Sequence, residues 1–210
     1  MWLPWWKRRT VAKNKGRAAT ASKGQVRIIG GEKRGLRLQF VDHGGDLRPS
    51  SDRLRETLFN WLQFELPGMR VLDLFAGSGV LGAEALSRGA REAVLIEKQR
   101  DRVADLQRQL QPLFDGRVSV LCHDALVWLH QPAEPFDLVF VDPPYDLGLA
   151  EPACADLEKR GWLADGAWIY LESRRQGAVP AVPANWSLHR EKQAGEIHAR
   201  LFRRHAPACP

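Results

Sequence analysis

The chain has 210 residues, 44% of them hydrophobic, enough for one sizeable domain with its own core. No apolar run approaches the roughly 20 residues needed to span a bilayer. The three cysteines, Cys122, Cys154 and Cys209, and the six histidines lack ligand-like spacing, which predicts reduced thiols, a cytoplasmic setting and no metal.

The net charge of +6 is concentrated at the start: residues 1–31 hold eight of the 31 basic residues and no acid, leaving 23 bases against 25 acids elsewhere. Trp2-Leu3-Pro4-Trp5-Trp6 is too short for a secretory apolar region, and its charges follow it. An acid-free, Arg-rich start also resembles a transit peptide. Residues 1–23 read as a basic arm, either a solvated tail or a contact to nucleic-acid phosphates.

Residues 24–47 carry a predicted hairpin from Gln25 to Phe40. Val26, Ile28 and Ile29 precede Gly30-Gly31, and Leu36, Leu38 and Phe40 alternate with Arg37 and Gln39. One face is apolar, and Lys33, Arg34 and Arg37 extend the positive surface of the arm. A helix follows, with Ser51 as cap, Asp52 in the first turn and Leu54, Leu58, Trp61 and Leu62 as a core stripe. Arg53 and Arg55 fall off that stripe and read as solvated.

Val71 to Gly82, V-L-D-L-F-A-G-S-G-V-L-G, has the form of a buried strand delivering a glycine loop into a small-residue helix that ends at Gly89. Ligands of parallel α/β sheets sit at the carboxyl ends of the strands, so this loop is the candidate site. Gly77 to Gly82 match G-x-G-x-x-G, and Glu97 follows about 20 residues on, as in dinucleotide binders. Asp73 at the strand end argues the other way, since an anion there repels a pyrophosphate and holds a cation. S-adenosylmethionine carries an ammonium and a sulfonium and no phosphate, and Glu97 can accept its ribose hydroxyls. The competing reading is a turn built only for close helix packing.

Beyond Gly89, strands are predicted over Ala93–Ile96, Val118–Leu121, Phe136–Val141 and Ala167–Leu171. Helices are predicted over Arg100–Gln111, closed before Pro112, Ala125–Leu129 and Leu147–Arg160. Residues 180–183 form a linker, a hairpin around Ala194-Gly195 spans Trp186–Phe202, and residues 206–210 are a tail. Strand Phe136–Val141 runs directly into Asp142-Pro143-Pro144-Tyr145, at the carboxyl end of a strand expected beside the glycine-loop strand. Asp-Pro-Pro alone is a common turn. Its chemistry suits an exocyclic amine whose lone pair is delocalised into a base ring: the Asp142 carboxylate and the Pro143 carbonyl are two acceptors for its N–H groups, and Pro144 stiffens the turn. Tyr145 offers a stacking face worth roughly 1–3 kcal/mol. Asp124, after Val118–Leu121, either caps the short helix or receives an adenine amine.

These motifs, with R-I-I-G-G-E at Arg27–Glu32, L-R-P-S-S-D-R-L-R-E-T-L-F-N-W-L at Leu47–Leu62, G-W-L-A-D from Gly161 and W-S-L-H-R-E-K from Trp186, resemble the class I S-adenosylmethionine-dependent methyltransferases of the amino-methylating branch. More narrowly, they are similar to the bacterial 16S ribosomal RNA guanine-N2 methyltransferases. The resemblance covers all but the first two dozen residues, with Ser50-Ser51 where threonine is frequent. It implies a Rossmann-like, mostly parallel α/β sheet over residues 48–205 with a C-terminal antiparallel hairpin, preceded by the N-terminal β-hairpin and helix. It implies that Asp73, Phe75, Ala76, Gly77, Gly79, Glu97, Asp124 and Ala125 hold S-adenosylmethionine, and that Asp142, Pro143, Pro144 and Tyr145 hold the amine. Arg27, Lys33, Arg34, Arg37, Arg48 and Arg53 would meet RNA of the small ribosomal subunit, and the protein would act as a monomer without metal or membrane. A DNA adenine-N6 methyltransferase would share D-P-P-Y but needs a larger target-recognition segment. An NAD-dependent oxidoreductase would lack an evident hydride site here, and intact Asp142 and Tyr145 argue against a catalytically silent RNA-binding assembly factor.

Overall fold

The structure, a computed structural model, describes residues 22–42 and 51–206. Most of the basic arm, Arg48, Ser50, Cys209 and the end of the tail lie outside the described residues.

Strands β1 (Ser22–Arg27) and β2 (Arg37–Asp42) pair antiparallel in the register Val26↔Leu38. Their apolar face, Val26, Ile28 and Leu38, is buried in the core of the main domain. Helix α1 (Asp52–Trp61) starts where the sequence places it, with the Ser51 hydroxyl accepting from the Leu54 N–H. The main sheet comprises β3 (Arg70–Asp73), β4 (Glu92–Glu97), β5 (Val118–Cys122), β6 (Phe136–Val141), β7 (Leu163–Arg174), β8 (Trp186–Ala194) and β9 (Ile197–Arg204), ordered β5-β4-β3-β6-β7-β9-β8. The first five are mutually parallel and β9 runs antiparallel to both its neighbours, as the sequence predicts. The sheet centre is a run of Val, Leu and Ile because both faces are covered. Helices α1, α2 (Val80–Ser87) and α3 (Arg100–Phe114) cover one face. Helices α4 (Ala125–Trp128) and α5 (Ala150–Lys159) cover the other.

Several element boundaries differ from expectation, three of them for an identifiable physical reason. Helix α3 continues through Pro112 to Phe114, where Asp115 turns left-handed at φ 43°. The donor that Pro112 lacks would have bonded in the last turns, and burial of Leu110 and Phe114 holds the segment helical. The helix expected from Leu147 starts at Ala150, because Tyr145–Leu147 form a 3-10 turn and Gly148, at φ 62°, breaks the path. Strand β7 spans 12 residues, not five, since Glu172 and Ser173 are polar yet remain in the ladder to β9, and Leu163 pairs with Phe136 ahead of a register shift.

Arg55 is a correction of another kind: the sequence reads it as solvated, and it is fully buried. Its guanidinium donates to the Arg27 carbonyl and to Asp52, and lies 3.6 Å from Glu84. Glu84, also fully buried, accepts from the Ile29 N–H at 2.8 Å and from Arg88 Nε at 2.8 Å. The hairpin turn is thereby fastened to α2. Gly31, at φ +76°, passes so close that a Cβ there would lie 1.9 Å from the Ser87 carbonyl. Glu84→Ala removes a fully buried carboxylate from beside the buried Arg55 guanidinium and should lower the unfolding free energy by about 3 kcal/mol. Urea unfolding of the two proteins measures it, and a loss below about 1 kcal/mol would show the pair to be dispensable.

Candidate active site

Strand β3 ends at Asp73, and the chain then makes the predicted loop. The Ala76 N–H donates to the Ile96 carbonyl and the Gly79 N–H to the Ala76 carbonyl. Gly79 caps α2 at φ 71°, where a Cβ would lie 2.6 Å from Leu106; one at Gly82 would lie 2.7 Å from Leu95. The glycines therefore do serve close packing, and that packing brings the loop N–H groups against two buried carboxylates.

Asp73 is 1% exposed, beneath the loop and not at its open mouth, and Oδ2 accepts from the Gly82 N–H at 3.1 Å. Burial, reinforced by the Glu97 charge, pushes its pKa up to about 7, against the opposing pull of the Gly82 and Phe75 N–H groups. Glu97, buried at the end of β4, accepts from Gly77 N–H (3.1 Å) and Gln99 N–H (2.7 Å). Asp124 follows β5 and caps α4 through Leu126 and Val127 N–H, with Lys98 3.4 Å away. Ala76 and Ala125 are buried beside these groups and Phe75 is half-buried. Three acids thus stand at the carboxyl ends of three adjacent strands.

Strand β6 pairs with β3 in the register Asp73↔Phe140, so Asp142-Pro143-Pro144-Tyr145 leaves the sheet beside the glycine loop. Asp142 is half-buried, Pro143 buried and Pro144 exposed. The Tyr145 hydroxyl donates to Glu172 Oε2 at 3.1 Å, and the Tyr170 hydroxyl donates to Oε1 at 2.6 Å. Burial and the Asp142 and Glu172 carboxylates hold the Tyr145 pKa far above the usual phenol range, so it stays protonated. Glu172 is fully buried and is the functional neighbour that sequence reasoning missed. Its signal was an acid two residues beyond a tyrosine in the apolar run A-W-I-Y-L-E, a spacing that places both on one face of a strand.

The basic residues are not gathered at this end. The α2 C-terminus meets the start of β3, with Gly68 N–H bonding the Gly89 carbonyl and Arg91 N–H the Met69 carbonyl. The hairpin turn sits there, Lys33 N–H donating to Ser87 Oγ. Lys33 and Arg34 are therefore at the opposite end of the sheet from D-P-P-Y. Arg27 is paired with Asp52 at 3.1 Å, Arg37 is exposed on β2, and Arg53 is exposed on α1. Among the described residues no group of His, Cys, Asp and Glu is arranged to hold a metal, and no helix is long and apolar enough to cross a membrane.

A loop with buried acids and no basic side chain, beside D-P-P-Y on a mostly parallel sheet with an antiparallel last hairpin, defines a class I methyltransferase, whose cofactor is S-adenosylmethionine. The donor set fits that molecule: Asp73 and Glu97 supply acceptors and negative potential that suit a cation and a ribose and disfavour a pyrophosphate. The chain belongs to the family described as Conserved hypothetical protein 95, matched over residues 26–203. It is 51% identical over 183 residues to Ribosomal RNA small subunit methyltransferase D of Escherichia coli K12, covering 87% of this chain and 92% of that one. The Haemophilus influenzae protein of the same name is 40% identical over 185 residues, covering 86% and 95%. The solved structure of yhhF from Escherichia coli superposes with a TM-score of 0.79 at 48% identity, covering 87% and 99%.

The raised pKa of Asp73 makes stability pH-dependent. The folded state binds the proton more tightly than the unfolded chain, so the contribution is complete below the unfolded value of 3.8 and is lost progressively up to about 7. The difference in unfolding free energy between wild type and Asp73→Asn should fall by about 1.4 kcal/mol per pH unit between roughly pH 5 and 7, then level off. Urea titrations across roughly pH 5–9, about two units either side of neutrality, test it; a constant difference would show that Asp73 titrates normally.

Proposed function

We propose that the protein transfers the methyl group of S-adenosylmethionine to the exocyclic N2 amine of a guanine in ribosomal RNA of the small subunit. The observation that carries this is the placement of D-P-P-Y on β6, hydrogen-bonded directly to the glycine-loop strand. The small-subunit substrate is supported by the relatives' names and by the coverage of nearly their whole length.

In this reading Asp73, Phe75, Ala76, Gly77, Gly79, Glu97, Asp124 and Ala125 line the cofactor cradle. Glu97 keeps its N–H partners and accepts the ribose hydroxyls with its remaining lone pairs, and Asp124 retains its capping bonds while its second oxygen, 3.4 Å from Lys98, is shared with an adenine amine. The cofactor supplies an electrophilic methyl group on a sulfonium. Asp142 and the Pro143 carbonyl accept the two N–H bonds of the amine, drawing its lone pair out of conjugation and toward the methyl. The nitrogen would gain a carbon bond and a positive charge as the sulfonium–methyl bond breaks and the sulfur leaves as a neutral thioether, and Asp142 would take the surplus proton. Tyr145 stacks on the base, its ring angle held by the hydroxyl bond to Glu172. Arg27, Lys33, Arg34, Arg37 and Arg53 form the RNA-facing set, with Arg27 divided between Asp52 and a phosphate.

Incubation of small subunits lacking the modification with the protein and methyl-labelled cofactor should yield N2-methylguanosine on nuclease digestion and mass spectrometry. N6-methyladenosine in its place would overturn the assignment. Asp142→Ala should lower the transfer rate about 10²–10³-fold, the usual effect of deleting one preorganised polar contact. Calorimetry should show its cofactor affinity retained, and near-normal turnover would remove Asp142 from the chemistry.

A further inference from the structure

We propose that the crevice between α1 and the β8–β9 turn seats the phosphodiester backbone of the single-stranded RNA flanking the target base; this rests on the proposed RNA methyltransferase function. The crevice has a volume of about 340 Å³ and is lined by Arg53, Leu54 and Thr57 of α1 and by Lys192, Gln193 and Gly195 among the turn residues. None of its lining residues is acidic. The crevice on the other flank of α1, about 190 Å³, is lined by Asp52 and Glu56 as well as by Arg27 and Arg34, and Arg27 is paired with Asp52 there.

The strand registers fix where Lys192 stands. Lys192 pairs with Ala199, and Ala199 with Glu172. Glu172 follows Leu171, whose partner on β6 is Val141, so Lys192 lies in the same cross-sheet row as Asp142. Three strand spacings separate them, about 14 Å at ~4.8 Å each. A nucleic-acid strand rises about 3.4 Å per nucleotide, so this is the reach of roughly four nucleotides from the methylated base. Residues directly opposite share a sheet face, and Ala199 lies in the core with Leu54 and Leu58 of α1. Lys192 therefore projects on the α1 side, toward Arg53. Two cations from distant parts of the chain, over an apolar floor and open on the turn side where Gly195 has nothing within 4 Å of a Cβ, fit a backbone passing across the rim. They do not fit a base read edge-on, which needs paired donors and acceptors.

The test is binding of the full-length protein to a 12-mer oligouridylate and to small subunits lacking the modification, across a salt series. Loss of two phosphate contacts should flatten the log–log salt dependence by about 1.4 in the Arg53→Ala/Lys192→Ala variant, and by about 0.7 in Lys192→Gln, which serves if the double variant does not fold. Cofactor titration and the thermal midpoint confirm a folded protein. A folded variant with the wild-type slope on both probes overturns the proposal. Weakened binding to subunits with an unchanged slope on the oligonucleotide also overturns it, since the crevice would then meet a ribosomal protein. A wild type that binds the oligonucleotide but methylates no subunit would instead count against the proposed function, leaving the crevice to be judged on its slope.

Discussion

A carboxylate with no exposure to solvent must be matched by donors, and at Glu84 the donors come from three segments: the Ile29 N–H of the hairpin, Arg55 of α1 and Arg88 at the end of α2. Arg55 extends the same cluster to the Arg27 carbonyl and to Asp52. Because α2 is the helix that the glycine loop opens, the small N-terminal sheet and the cofactor loop are referenced to one rigid element. The buried charges are weak evidence for stability in themselves, since their desolvation offsets much of their attraction. What they supply is register: the Ile29 N–H is aimed at one carboxylate oxygen, and Gly31 fits against Ser87 in one position. A hairpin held only by Val26, Ile28 and Leu38 could slide on an apolar surface. One held by directional bonds cannot.

The same use of buried acids recurs at the chemical end, with different consequences. Asp73 and Glu97 are held under the loop by its own N–H groups, so the loop is organised before a cofactor arrives. Preorganised groups need no rearrangement at the moment of reaction, which is where such sites gain rate. Glu172 does the corresponding work below D-P-P-Y. With two tyrosine hydroxyls donating to its two oxygens, the carboxylate is fixed in plane and in turn fixes the Tyr145 ring.

The strands and the loop were legible because buried parallel strands are continuous apolar runs and glycines mark the turn between them; Phe136–Val141 has the same bounds in sequence and structure. D-P-P-Y was legible as a tetrapeptide, but its support was not, since Glu172 lies 27 residues further on and looks like the polar end of a strand. Arg55 was misread for a related reason. Its neighbours Leu54 and Leu58 define a core stripe that excludes it, and only the hairpin packing from above covers it. Local periodicity reports which face meets the sheet; it carries no information about a second layer. Pro112 shows the converse, a strong local stop signal overridden by the burial of Phe114.

Helix α1 also sorts charge, by spacing alone. Residues four apart on a helix share a face, so Asp52 and Glu56 fall together on the flank of Arg27 and Arg34, while Arg53 and Thr57 fall together on the flank of Lys192. Asp52 and Arg53 are adjacent in sequence, yet they line different crevices. The consequence is electrostatic asymmetry within one short helix: its hairpin side carries acids among its cations, and its β8 side presents Arg53 and Lys192 with no acid lining the crevice, in the cross-sheet row that leads to D-P-P-Y. Exposed cations at such a rim act on a phosphate chain through charge alone, which positions the strand without reading its sequence. In the proposed function the choice of nucleotide is then left to Asp142, Pro143 and Tyr145, so that positioning of the strand and chemistry on the base would fall to different parts of one sheet.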